Sequence, residues 1–318
     1  MTDGRREGVE AMRIEGLGQS GFGASVRGLD PSAMGTPDAC AVRDAAHKAL
    51  GLLVFEFGRL LEADELHALT ALFGEGEFAP GLINGIGKRA RAGEAEHSIE
   101  DQVTALRARG LDPFITHLGN VDPVSEQVRE VDPRFFGEWE WHTDMSYLPV
   151  PPTFSLLHAR QIPETGGDTG FSSQILAARN LPEALRERVE NRRIKHDSTY
   201  GSSGVLRPGM HPPASPIEAI GHEHPILRRL PDGETALFLG RRTNAYIPGL
   251  PLDESEALLD ELWAHATRAE FQYRHRWQIG QVVVWDNRMM LHMRHPVDDR
   301  AVRFMWRTQT RGEAVLPA

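Results

Sequence analysis

Apolar positions along this chain fall into two rhythms, and the rhythm changes mark the elements. Residues 38–50 show helical spacing, and Leu66, Leu69, Leu72 and Phe73 predict a second helix closed by Gly74. Between them Leu52-Leu53-Val54-Phe55-Glu56-Phe57 predicts a strand. Two further helices are expected at residues 173–189 and 253–267, the latter opening on Asp253-Glu254-Ser255-Glu256, which resembles a capping box. Strands expected near 154–160, 271–277, 282–286 and 303–310 make the chain mainly β with flanking helices. This pattern suits a double-stranded β-helix, a jelly roll of the cupin kind, with helices packed outside. Residues 1–20 are polar and glycine-rich and read as a mobile lead-in, leaving 21–318 as a single domain without internal repeats. Residues 83–112 are glycine-rich at first, then charged and helix-prone; an insertion of this kind beside a site commonly acts as a lid.

Composition narrows the classes. With 318 residues, 40% of them hydrophobic, the chain can bury a sizeable core. A formal net charge of -10 argues against a nucleic-acid footprint, which needs clustered Lys and Arg. One cysteine, Cys40, excludes an intramolecular disulfide and a cysteine-rich zinc site. No apolar run approaches the length of a membrane span, and no secretory signal is visible, so a cytoplasmic location is expected.

The candidate chemistry lies in two blocks. His142 and Asp144 sit two apart in Trp141-His142-Thr143-Asp144, and on a strand alternate residues share a face, so both could reach one ion while Thr143 points away. Trp139, Trp141, Thr143 and Tyr147 are residue types at home on such a strand. A lone His-x-Asp carries little, because such pairs arise by chance. The second block, 150 residues on, ends the apolar run from Gln281 at His292; Arg303 and Arg307 follow, sharing a strand face with Met305. Two imidazoles and one carboxylate can cap one face of a metal octahedron, as in non-haem Fe(II) oxygenases. An inward arginine nearby offers a planar fork of donors to an anionic cosubstrate. His295 could replace His292, but Pro296 and Asp298-Asp299-Arg300 mark a turn there, so His292 ranks first. Among the other histidines only His224 invites attention.

Together His142-Thr143-Asp144, Thr165-Gly166-Gly167-Asp168-Thr169, the block Trp285 to His292, and Arg303 with Arg307 resemble the Fe(II)/2-oxoglutarate dioxygenases of the taurine dioxygenase and chlorophenoxyacetate dioxygenase family, in order and spacing, from about Leu52 to Thr310. The resemblance implies Fe(II) held by His142, Asp144 and His292, with O2 and 2-oxoglutarate as cosubstrates. It assigns Thr169 and Arg303 to the distal carboxylate of 2-oxoglutarate and Arg307 to an acidic group on the primary substrate. Met145, Tyr147, Phe171 and Tyr200 are expected pocket walls. The retained carboxylate at Asp144 favours hydroxylation over halogenation, with succinate and CO2 released. Family members that grip a sulfonate carry a histidine after the first Phe-Gly-Glu, whereas this chain reads Phe73-Gly74-Glu75-Gly76-Glu77-Phe78, so taurine is not the expected substrate. The segment Arg241 to Gly249 looks closer to the aryloxyalkanoate-degrading branch, and an anionic aryloxyalkanoate or a secondary-metabolite intermediate is expected. A homo-oligomer is a family expectation. Two rival readings stand beside this one. The first is a zinc hydrolase on the same three ligands, which leaves Thr169 and Arg303 unexplained. The second is a non-catalytic ligand-binding jelly roll with structural histidines.

Overall fold

The computed structural model describes residues 11–18, 21–80, 82 and 99–318. Two sheets make the centre. The larger has eight strands, ordered Arg13–Gly16, Ala24–Arg27, Leu52–Glu56, Gln281–Asp286, Phe154–Gln161, Phe304–Thr310 and Gly76–Glu77, with Thr116–Gly119 also pairing Phe304–Thr310. Its pairings are antiparallel except Ala24–Arg27 with Leu52–Glu56. The smaller sheet sets Thr169–Ser173 between Gln272–His275 and Met290–Arg294.

Strand alternation explains how both faces of the large sheet are covered. Leu52, Val54, Val283 and Trp285 turn inward and pack with Leu157, Ala159 and Met305 against Phe171 and Met290 of the small sheet. Their neighbours Leu53, Phe55, Val282 and Val284 turn outward under Val42, Ala45 and Ala46 of the helix Thr36–Lys48 and Leu66 and Leu69 of the helix Ala63–Ala71. The helix Leu252–Ala266 buries Leu258, Leu259 and Leu262 with Ile194, Leu237 and Leu291 behind the small sheet. The result is a jelly roll with no closed barrel. Among the described residues no helix is long and apolar enough to cross a membrane.

Several expectations need correction. The lead-in expected through residue 20 contains a strand, Arg13–Gly16, on the edge of the large sheet; its side chains stay exposed, so hydropathy did not reveal it. The helix expected over 173–189 is two, Gln174–Arg179 and Glu183–Val189, because Pro182 cannot continue the first and instead precedes the second. There is no capping box at Asp253: the helix starts at Leu252 after Pro251, and the buried Ser255 hydroxyl accepts the Ile247 amide at 2.9 Å. No strand runs through 139–147. His142 forms isolated bridges to Arg241 and His292, and a turn follows in which Met145 takes φ 48°. Of the segment expected as a lid, residues 83–98 lie outside the described residues, and the remainder holds the helix Ile99–Ala108, with no buried side chain.

Candidate metal centre and cosubstrate pocket

The backbone first brings the two blocks together. His142 and His292 exchange amide-to-carbonyl hydrogen bonds, each 2.9 Å, so residues 150 apart in sequence sit opposite one another. Ligand atoms of His142, Asp144 and His292 lie within 4.8 Å of each other, all three residues buried, and no other such His, Cys, Asp or Glu cluster occurs among the described residues. The Asp144 Oδ1 is 3.9 Å from His142 Nε2 and 3.8 Å from His292 Nε2. The turn at Met145, not strand alternation, aims the carboxylate.

Each donor is held in the form a cation needs. His142 Nδ1 donates to the Glu140 carbonyl at 2.7 Å, leaving the Nε2 lone pair facing inward. Burial, reinforced by His292 and Arg241, holds the His142 pKa well below the ordinary histidine value. Burial likewise takes His292 down to about 4, so both rings are neutral at physiological pH. For Asp144 burial pushes the pKa up, but Arg307, His292 and His142 outweigh it and keep the carboxyl ionised. Its Oδ2 accepts from Ser155 Oγ at 2.8 Å and Gln309 Nε2 at 3.2 Å, and Oδ1 from Arg307 at 3.0 Å. Asn287 Nδ2 donates to Ser155 Oγ at 2.8 Å, and Trp285 Nε1 to Asn287 Oδ1 at 3.0 Å, which continues the chain into the core. Ser155 and Gln309, on the inward faces of neighbouring strands, were not among the expected site residues; they are common polar types with no motif to mark them.

Thr169 opens the strand Thr169–Ser173 after a Gly166-Gly167 turn with φ 78° and 68°. A Cβ on Gly166 would lie 2.8 Å from the Pro296 carbonyl oxygen, so this approach needs glycine. Arg303, just ahead of the strand Phe304–Thr310, is buried, its Nε has no partner, and no ion pair to it occurs among the described residues. Burial, with Arg294 adding to it, lowers its pKa to about 9, which leaves the guanidinium charged at neutral pH.

The expected pocket walls divide. Tyr147 is buried and its phenol oxygen accepts from Arg207, whose guanidinium carbon lies 4.3 Å from the ring centroid. Tyr200 contributes its carbonyl, which takes hydrogen bonds from both Arg207 and Arg241. Phe171 is fully buried, 5.6 Å from Trp285 and 6.4 Å from His292 between ring centroids, and so packs behind the ligand. His295 lies beyond the strand and outside the triad. His224 packs with His196, His222 and Phe238, away from the ligand set, its Nε2 against the Leu148 carbonyl. Arg241, not anticipated as a site residue, is buried and donates to Tyr200 O and Ser202 Oγ, while Glu140 N donates to Ser202 O.

A jelly roll whose inner face gathers two neutral imidazoles and one ionised carboxylate defines a two-histidine, one-carboxylate metal site, a donor set suited to Fe(II) with positions left open. Comparison with known proteins makes this specific: the chain belongs to the taurine catabolism dioxygenase TauD, TfdA family, whose model matches residues 13–309. It is 33% identical over 188 residues to the (S)-phenoxypropionate/alpha-ketoglutarate-dioxygenase of Sphingobium herbicidovorans, covering 56% of this chain and 63% of that protein. It is 34% identical over 203 residues to the alpha-ketoglutarate-dependent 2,4-dichlorophenoxyacetate dioxygenase of Cupriavidus pinatubonensis, covering 61% and 67%. The matched stretch thus spans a little under two thirds of the first of these relatives. The fold is shared with the crystal structure of AAD-2 in complex with Mn(II) and N-oxalylglycine, at a TM-score of 0.70 and 24% identity over 96% of this chain and 98% of that one. A taurine dioxygenase from Burkholderia xenovorans superposes with a TM-score of 0.68 at 25% identity, over 96% and 93%.

Proposed function

We propose that this protein is an Fe(II)- and 2-oxoglutarate-dependent dioxygenase that hydroxylates a C–H bond of a small carboxylate-bearing substrate, of the aryloxyalkanoate type. The observation that carries the reading is the buried, converging triad of His142, Asp144 and His292, in a chain whose buried Arg303 has no ion-pair partner among the described residues. His142, Asp144 and His292 would hold the iron, with Thr169 and Arg303 on the distal carboxylate of 2-oxoglutarate. Bound there, Fe(II) supplies dioxygen activation coupled to oxidative decarboxylation of 2-oxoglutarate to succinate and CO2. The chain's own residues do the rest. Arg307 spends one nitrogen on Asp144 while its Nε has no partner, which equips it to receive a substrate carboxylate close to the iron. The relatives named for phenoxypropionate and dichlorophenoxyacetate favour an aryloxy substituent on that acid. Hydroxylation of the carbon bearing the aryloxy group gives a hemiketal that collapses to a phenol and a 2-oxo acid. Family membership weighs against the zinc hydrolase and the non-catalytic jelly roll, neither of which uses Arg303.

The test is an anaerobic titration with Fe(II) and 2-oxoglutarate, watching for the weak visible charge-transfer band of the chelate, followed by aerobic turnover of 2-phenoxypropionate with succinate and phenol measured together. A band abolished by His292→Ala and equal yields of succinate and phenol are expected. Absence of a band from folded protein rejects the iron site; a band without phenol rejects only the substrate.

A further inference from the structure

Trp277 stands in none of the motifs discussed so far, yet its indole Nε1 is 2.9 Å from Thr169 Oγ1. An indole nitrogen can only donate, so the threonine oxygen must accept. A hydroxyl has one proton, and that proton therefore cannot point at Trp277. Thr169 is buried, and no acceptor for its hydroxyl occurs among the described hydrogen bonds. The proton is left aimed elsewhere, available to an incoming anion.

The indole is fixed from several sides. It is half-buried and packs against the inner core cluster, and its ring meets His275 edge-on at 4.5 Å. His275, the last residue of the strand Gln272–His275, is registered directly opposite Thr169, and the indole follows two residues beyond that pair. Trp277 and Arg303 also line one cleft of about 320 Å³ around the turn Thr165-Gly166-Gly167-Asp168. The donor-only ring and the unpaired guanidinium thus flank the same Gly-Gly turn that presents Thr169.

We propose that Trp277 is a positioning residue for 2-oxoglutarate: by occupying an acceptor site on Thr169 Oγ1 it directs the hydroxyl proton toward the distal carboxylate held by Arg303. This rests on the assignment of Thr169 and Arg303 made above. Trp277 touches the threonine and not the reacting atoms, so its effect falls on cosubstrate affinity and leaves the chemical step alone.

The experiment is an anaerobic titration of Fe(II)-loaded full-length protein with 2-oxoglutarate in Trp277→Phe, Thr169→Val and the double variant. Phenylalanine keeps a ring in the core and deletes the N–H. Trp277→Phe is expected to raise the 2-oxoglutarate Kd roughly three- to tenfold, the span of one hydrogen bond. The rate at saturating 2-oxoglutarate should stay within about twofold on that view. In a Thr169→Val background the same substitution should add nothing, because the indole acts through the hydroxyl. An unchanged Kd in Trp277→Phe with a raised one in Thr169→Val overturns the proposal alone. Unchanged values in both overturn the Thr169 assignment and the proposal with it. Multiplicative losses in the double variant also overturn it, since they mark Trp277 as mere packing. A second measurement needs no Trp277 variant: with all six tryptophans labelled at the indole nitrogen, Thr169→Val should displace an N–H signal that 2-oxoglutarate also moves in the parent protein. A spectrum in which no indole signal responds to both changes counts against it.

Discussion

At the scale of single residues, the site is a set of groups kept in one protonation state by their surroundings. His142, Asp144, His292, Arg303 and Arg307 stood out in the sequence only as a set, whose order and spacing resemble the family, since each alone is a pattern that arises by chance. Ser155 and Gln309 did not, because a serine and a glutamine on apolar strands look like any others. Their bonds to the outer oxygen of Asp144 nevertheless hold the carboxylate plane. Ser155→Ala is expected to weaken Fe(II) binding by roughly 10- to 100-fold with the fold retained, read by competition against a coloured chelator. An affinity within twofold of the parent would show that Gln309 and Arg307 suffice. Arg303→Gln should weaken 2-oxoglutarate roughly 10-fold or more without changing Fe(II) affinity, and Arg303→Lys should not recover it, since an ammonium lacks the planar fork. Recovery by lysine would show that charge alone is required there.

Elements set what those residues can reach. Periodicity located the central strands of the large sheet and the long helices, but not the buried strands Thr169–Ser173 and Met290–Arg294 of the small sheet, which are too short and too mixed in polarity to show a repeat. It failed at the His142 segment because an isolated bridge has no repeat to detect, and because a non-glycine residue with positive φ at Met145 is set by its tertiary surroundings. Alternation was the wrong route to a correct pairing of His142 with Asp144. The segment is instead tied down by Arg241, which bonds Tyr200 O and Ser202 Oγ, and by Glu140, whose carbonyl orients His142 while its amide bonds Ser202 O. Arg241→Gln should therefore loosen the 200–202 loop, seen as faster amide exchange there, and raise KM for the primary substrate more than KM for 2-oxoglutarate. Equal effects on both constants would refute a local tether. At Gly119 an added Cβ would fall 1.8 Å from the Arg303 carbonyl oxygen, so Gly119→Ala should shift Arg303 and lower both stability and 2-oxoglutarate affinity. Unaltered binding would show that the strand end yields without moving the guanidinium.

For the whole molecule, buried neutral histidines dominate the response to acid. Burial lowers His158, His224 and His275 to about 4 from 6.5, and holds His196 well below 6.5. Between those values the unfolded chain binds protons that the native state refuses, so folding stability falls as pH drops below about 6.5 and is complete above it. His67, raised mainly by its hydrogen bond to Asp112, acts in a different window: the stability it adds is fully present below about 6.5 and is lost as pH rises through its raised value. Denaturant unfolding of metal-free protein should thus give a lower free energy at pH 5 than at pH 7. His158→Gln should flatten the slope by up to about 1.4 kcal/mol per pH unit, one proton's worth. Equal stability at the two pH values would mean that these rings are protonated in the native state. The jelly roll was legible mainly through the long apolar strands at the centre of the large sheet, whereas the exposed edge strand Arg13–Gly16 carries no apolar signal.

The reciprocal backbone pair between His142 and His292 closes a 150-residue stretch of chain. Contacts of such separation form only after much of the chain's loop-closure entropy has been surmounted, and so come late in folding. A growing polypeptide accordingly has no complete metal site until Met290–Arg294 has been synthesised and has docked beside Thr169–Ser173. Iron uptake can then serve as a clock for that docking, and a chain stalled short of that strand is protected from housing a redox-active ion in a half-built, water-filled cavity.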